Sequence, residues 1–256
     1  MFDNICRFLA EKYSTDFAAW LLGEPIQFTE LQPSELLLDP IRTDSLVLLQ
    51  SEPLLLHLEF QTDPDPKIPF RMTDYRIRSY RRYPHKAMRQ VVIYLRPTES
   101  PLVYQTEFST GRLHHGYDVI RLWEQPTNIF LQSPGLLPFA VLSQADDQAS
   151  VLQEVAQSAN NLSESSRQDI TASAAILAGL VLEKEVIHRI LRAKSMRESV
   201  IYQEIRAEAI AEGRAEGRAE GRAEVALNLL RAGMTLEQVA QLTGLTLDQV
   251  QQLQKH

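Results

Sequence analysis

Residues 41–84 read IRTDSLVLLQSEPLLLHLEFQTDPDPKIPFRMTDYRIRSYRRYP, and the order of patterns inside them decides the fold class. Strand side chains alternate with a period of two. From Leu54 to Gln61 this sets Leu56, Leu58 and Phe60 on one face and His57, Glu59 and Gln61 on the other. A second β-like run, Asp44 to Leu49, precedes it across Ser51-Glu52-Pro53, a turn composition. The Pro- and Asp-rich run Thr62 to Pro66 is a loop. A basic helix then begins near Ile68, tolerates Pro69 in its first turn and ends before Pro84.

Outward from this stretch, apolar residues from Asp3 to Leu22 recur at helical spacing, and Gly23 with Pro25 stop the segment. Gln27 to Leu38 is the first of three strands, and Gln90 to Leu95, Leu102 to Phe108 and Tyr117 to Leu122 read as later ones. Helix, three strands, helix, strand is an α/β core with a mixed sheet. After about Gly135 the pattern turns helical: Pro138 to Ser143, Gln148 to Ser158, Ser166 to Leu182 and Glu185 to Ile210. The expected divisions are 1–135 for the core, 136–210 for a helical extension, 211–224 for an AEGR repeat and 225–256 for a small helical tail.

The 256 residues, 44% hydrophobic and 23% charged, suffice for a full core and an appendage. The longest strongly apolar stretch, Thr171 to Leu182, falls short of the roughly 20 helical residues that cross a bilayer. The N-terminus has no long apolar signal region, so no membrane and a cytoplasmic location are expected. One cysteine, Cys6, excludes an internal disulfide and a multi-thiolate zinc site, which leaves carboxylates to hold any metal. The net charge of −7 excludes a coat of positive charge, yet eight of the 26 Lys and Arg fall between Lys67 and Arg89 with Asp74 the only acid.

A tight turn at Ser51-Glu52 would set Asp44 directly opposite Glu59, with Cβ atoms about 5 Å apart. Two carboxylates at that distance repel unless a cation sits between them or one takes a proton. Magnesium suits such a pair and keeps positions for water and phosphate oxygens. Metal-assisted phosphodiester hydrolysis fits, with Gln61 orienting water or phosphate. The same spacing fits a bland alternative, in which Asp44 ends a strand and Glu59 stands on an exposed edge.

The quoted stretch resembles the core of the recombination-promoting nuclease, transposase-like family, a branch of the PD-(D/E)xK nuclease superfamily. The resemblance continues through VVIYLRP, VIRLWEQP, PGLLPFAVLS, the TASAAILAGLVL helix and the glycine-rich repeat, and so covers most of the chain. It implies a restriction-endonuclease-like αβββαβ core with a helical C-terminal region. It also implies DNA cleavage dependent on a divalent cation (Mg2+, or Mn2+ or Ca2+), and a role in DNA exchange or mobile elements. The aspartate of the family's R-x-D falls on Asp44, after Arg42 and Thr43, and its E-x-Q falls on Glu59 and Gln61. The resemblance thus makes Asp44, Glu59 and Gln61 catalytic and Asp44 and Glu59 metal ligands. The wider superfamily has lysine where this chain has Gln61, and glutamine cannot neutralise developing charge. Lys67 or Arg71 is the candidate for the missing cation, and Glu35 for a further acidic ligand.

On the basic helix Arg71, Arg78 and Arg82 share one stripe, and Phe70, Ile77 and Tyr80 another. The expectation is that the apolar stripe packs on the sheet and the arginines meet DNA phosphate. The alternative is a solvated face. The AEGR repeat brings like charges to i,i+4 and three glycines into a helix, a spacer of marginal stability or a face for close packing with another helix or subunit. In the tail, Gly233 ends one helix, Thr235 with Gln238 and Thr246 with Gln249 suit capping boxes, and Ala240 with Gly244 has helix-turn-helix spacing. TLDQVQQLQKH is poor in cations, which favours an interaction module, or a homo-oligomer through the C-terminal helices, over a sequence reader. His114 and His115 are expected in a turn, His57 on an exposed strand, and Cys6 in the core. The leading reading is a DNA endonuclease. Its competitors are a catalytically weak DNA-binding transposition accessory and a protein-interaction module.

Overall fold

A computed structural model describes residues 2–30, 46–191, 221–223, 225–230 and 234–254. Glu35, Asp44, Gly233 and the AEGR repeat up to residue 220 lie outside the described residues. The chain divides into two compact units, Met1–Gln203 and Glu204–His256.

The first unit is α/β. A five-stranded mixed sheet is ordered β1 (Thr29–Glu30), β2 (Leu46–Gln50), β3 (Leu54–Gln61), β4 (Ala87–Tyr94) and β7 (Asp118–Arg121), with β1 a two-residue edge segment. β2 runs antiparallel to β3, whereas β4 is parallel to both β3 and β7. Helix α3 (Ile68–Arg82) makes the crossover from β3 to β4 that parallel pairing requires. Its Pro69 lies in the first turn, where a missing N–H costs nothing, and it stops before Pro84. β3 is central, so six consecutive residues of it, Leu55 to Phe60, are buried on both faces.

On one face Phe60 stacks on Phe139 with ring centroids 6.0 Å apart, and Phe17 meets both rings edge-on at 6.3 and 5.7 Å. Phe17 comes from α2 (Ser14–Leu22) and Phe139 from a 3-10 segment, Pro134–Leu142, in which every residue from Gly135 on is buried. The expected single helix Asp3 to Leu22 is two, α1 (Phe2–Lys12) and α2, parted at Tyr13. The break lies where Gly135 crosses: a Cβ there would fall 2.2 Å from the Tyr13 Cβ, and the Gly135 N–H donates to Asp16 Oδ2 at 2.8 Å. Cys6 is fully buried, and burial pushes its thiol pKa well up, as a core thiol requires.

The region after β4 departs from expectation. Leu102 lies in a 3-10 turn, Pro101–Tyr104, started by Pro101 and the Ser100 cap, and the strands form later as a hairpin of β5 (Glu107–Thr110) and β6 (Leu113–Gly116). His114 and His115 therefore sit in β6 rather than in a turn. Helices α4 (Thr127–Phe130), α5 (Gln148–Ala159), α6 (Glu164–Ala178) and α7 (Lys184–Ile190) follow. In the second unit, α8 (Leu236–Thr243) and α9 (Leu247–Gln254) each begin with the expected reciprocal bonds, Thr235 with Gln238 and Thr246 with Gln249. Gly244 ends α8 at φ 70°, and Ala226, Val239 and Val250 form that unit's core. Among the described residues no helix is long and apolar enough to cross a membrane.

Candidate functional site

The polar face of β3 is as buried as its apolar face, because α3 covers it. Expected on an exposed strand, His57 is 0% exposed, and so is Glu59. The register also differs: Leu46, not Asp44, is the β2 partner of Glu59. Pairing Asp44 with Glu59 would have put Pro53 in the ladder opposite Gln50, where proline has no N–H to give. Instead Glu52 and Pro53 form the two-residue loop, closed by the Ser51 N–H donating to the Leu54 carbonyl at 2.9 Å. The shift is two residues, which leaves the alternation of faces unchanged.

Glu59 lies between Leu46 of β2 and Val92 of β4, near the C-terminal end of β3. A carboxylate in that setting needs strong partners. Arg71 supplies one, with Nη2 2.8 Å from Glu59 Oε1, and Gln61 Nε2 donates to the same oxygen at 3.2 Å. Arg71 also reaches Asp65 Oδ2 through Nη1 at 3.2 Å, so one guanidinium joins two acids from the loop and the strand. Of the two cations considered for the place next to Gln61, the structure brings in Arg71. Lys67 is exposed, and its backbone N–H donates to Asp65 Oδ1.

His57 belongs to a second polar chain. Gln90 Nε2 donates to the Met72 carbonyl at 2.8 Å and to His57 Nδ1 at 2.9 Å, while His115 Nε2 lies 2.7 Å from Gln90 Oε1. Turning the Gln90 amide over would set its oxygen against the Met72 oxygen, so the orientation is fixed by chemistry. His57 Nδ1 is then an acceptor and its ring proton sits on Nε2, 3.6 Å from Glu59 Oε2. This is a polar contact of a neutral ring, not an ion pair. The Tyr75 ring closes over His57 with centroids 4.9 Å apart.

The basic helix is turned differently from expectation. Ile68, Met72, Tyr75 and Ser79 face the sheet, whereas Phe70, Ile77 and Tyr80 are 60%, 48% and 60% exposed. Arg71 and Tyr75 reach inward to Glu59 and His57, and those contacts set the rotation that an apolar stripe alone misreads. Arg78 pairs with Asp74 at 2.9 Å, and Arg82 is exposed beside the Tyr83 ring. Gln90 and His115 were not among the candidate site residues. The signal available for Gln90 was a polar residue at the head of a buried apolar strand.

Among the described residues no group of three His, Cys, Asp or Glu side chains converges to hold a metal. Asp44 and Glu35 are outside that set. No protein-family model matches the chain, nor does any curated protein or solved structure.

Proposed function

We propose that the chain is a divalent-metal-dependent DNA endonuclease on a restriction-endonuclease-like αβββαβ core. The observation that carries this reading is Glu59, a fully buried acid near the C-terminal end of a central strand, held in an E-x-Q pair with Gln61. Ligand sites of open α/β sheets gather at that end of the strands. The order of α2, β1, β2, β3, α3 and β4 agrees with the proposed core.

The donor set suits a hard cation: Glu59 and, in this proposal, Asp44 would hold Mg2+, with oxygen the only donor type. Bound there, the cation would polarise the phosphoryl group and activate a water. Gln61 orients by hydrogen bonding. Arg71 balances the charge of Glu59 and brings a cation beside Gln61, the position where the wider superfamily has lysine.

Nicking of supercoiled plasmid by the full chain tests the proposal. EDTA, Asp44→Ala and Glu59→Gln are each expected to cut the rate on the order of a hundredfold or more. Undiminished nicking by Asp44→Ala would sink the ligand assignment. A second reading, DNA binding without cleavage, is favoured by the Arg71 ion pair that already engages Glu59. Salt-dependent DNA binding with no cleavage in Mg2+, Mn2+ or Ca2+ would select it.

A further inference from the structure

Beside Arg76, midway along α3, a cleft of about 590 Å³ opens between that helix, the starts of β4 and β7, and the β5–β6 hairpin. Its volume is that of a small-molecule pocket. Four charged side chains line it: Arg76, Arg89, Glu107 and Asp118. Arg89 and Asp118 neutralise one another at 2.7 Å, and Glu107 is exposed. Arg76 is half-buried, and among the described residues no acid pairs with it.

His115 lines the same cleft. Its Nε2 is committed to Gln90 Oε1, an oxygen that can only accept, so Nε2 carries a proton and Nδ1 is left for a ligand. Burial, then the charge of Arg76, lowers the His115 pKa. An anion beside Arg76 would relieve that charge and let Nδ1 take a proton and donate it to the anion.

We propose that the cleft is a phosphate-recognition site for a nucleotide-sized ligand, with Arg76 and His115 as the two side chains that hold the phosphate. A planar guanidinium and an imidazole that gains a donor suit phosphate oxygens. Bonds through Gln90 join the site to His57, the neighbour of Glu59, yet the site stands independently of the nuclease reading. A free nucleotide and a nucleic-acid strand both present such a phosphate; the chemistry is shared.

The test uses the full chain, without metal, labelled with 15N at histidine, and three probes: inorganic phosphate, thymidine 5′-monophosphate and a short oligothymidylate. The monophosphate or the strand is expected to shift the His115 ring resonances and raise its apparent pKa. Arg76→Gln is expected to weaken binding by about tenfold or more, and Arg76→Lys to recover part of the loss. Arg189→Gln, exposed on α7 and outside the cleft, should leave the His115 shift unchanged. Tighter binding of the strand than of the monophosphate makes the ligand a nucleic-acid phosphodiester, and the reverse makes it a free nucleotide. The proposal is overturned if no probe moves His115, or if a folded Arg76→Gln binds as the unaltered chain does. Should Arg76→Gln fail to fold, His115→Asn takes its place, with calorimetry as the readout and unchanged affinity as the overturning result.

Discussion

On one face of β3, Phe60 meets Phe17 and Phe139; on the other, Glu59 meets Arg71 and His57 meets Gln90. Both faces exclude water, but the first is limited by volume and the second by pairing. Dispersion and apolar burial reward any side chain that fills the space, whereas a buried carboxylate or imidazole tolerates few partners.

Substitutions that separate volume from pairing test this contrast. The largest effect is expected for Phe60→Ala, a loss of about 3–5 kcal/mol in urea unfolding, because two rings lose their partner. No single change across the contact should repair it. Arg71→Met is expected to cost a similar amount, about 3–5 kcal/mol, by leaving the Glu59 charge buried. Here the double variant Glu59→Met/Arg71→Met should regain most of the stability. A double variant no better than the single one would erase the distinction between the faces.

Gln90→Leu fills nearly the same volume yet strips partners from Met72, His57 and His115, and about 1–3 kcal/mol should be lost in the same measurement. An unchanged urea midpoint would show that volume alone matters there. The smallest effect concerns pH. Because the folded pKa of His115 is lowered, the unfolded chain takes the proton first as pH falls through the ordinary value of about 6.5. That contribution to stability is complete above this value and shrinks as pH drops toward the folded pKa. His115→Gln should therefore flatten the decline of the urea midpoint between about pH 7 and pH 5.

What could be read from residues alone follows the range of the forces involved. Strand Leu54 to Gln61, the helix between Ile68 and Pro84 and both capping boxes of the tail depend on neighbours a few positions apart, and they stand as expected. The hairpin register differs by two residues from the expected one because Pro53 lies in the loop rather than in the ladder. Burial of His57 and Glu59 was hidden, since alternation tells which residues share a face but not what covers it. The rotation of α3 departs from expectation for a related reason. Phe70, Ile77 and Tyr80 form the more obvious apolar stripe, and only the long-range contacts of Arg71 and Tyr75 turn it to solvent. Within the candidate site, Glu59 and Gln61 meet in the structure, and Arg71 joins them from the next element.

Gln90 gives its chain a single sense: each donor, from His115 through Gln90 to His57, points toward Glu59. Such a chain cannot be reversed one residue at a time, because any intermediate sets donor against donor or oxygen against oxygen. Over a lineage these positions are therefore expected to drift together or not at all, so that Gln90 and His115 should covary while the exposed Phe70 and Tyr80 vary alone.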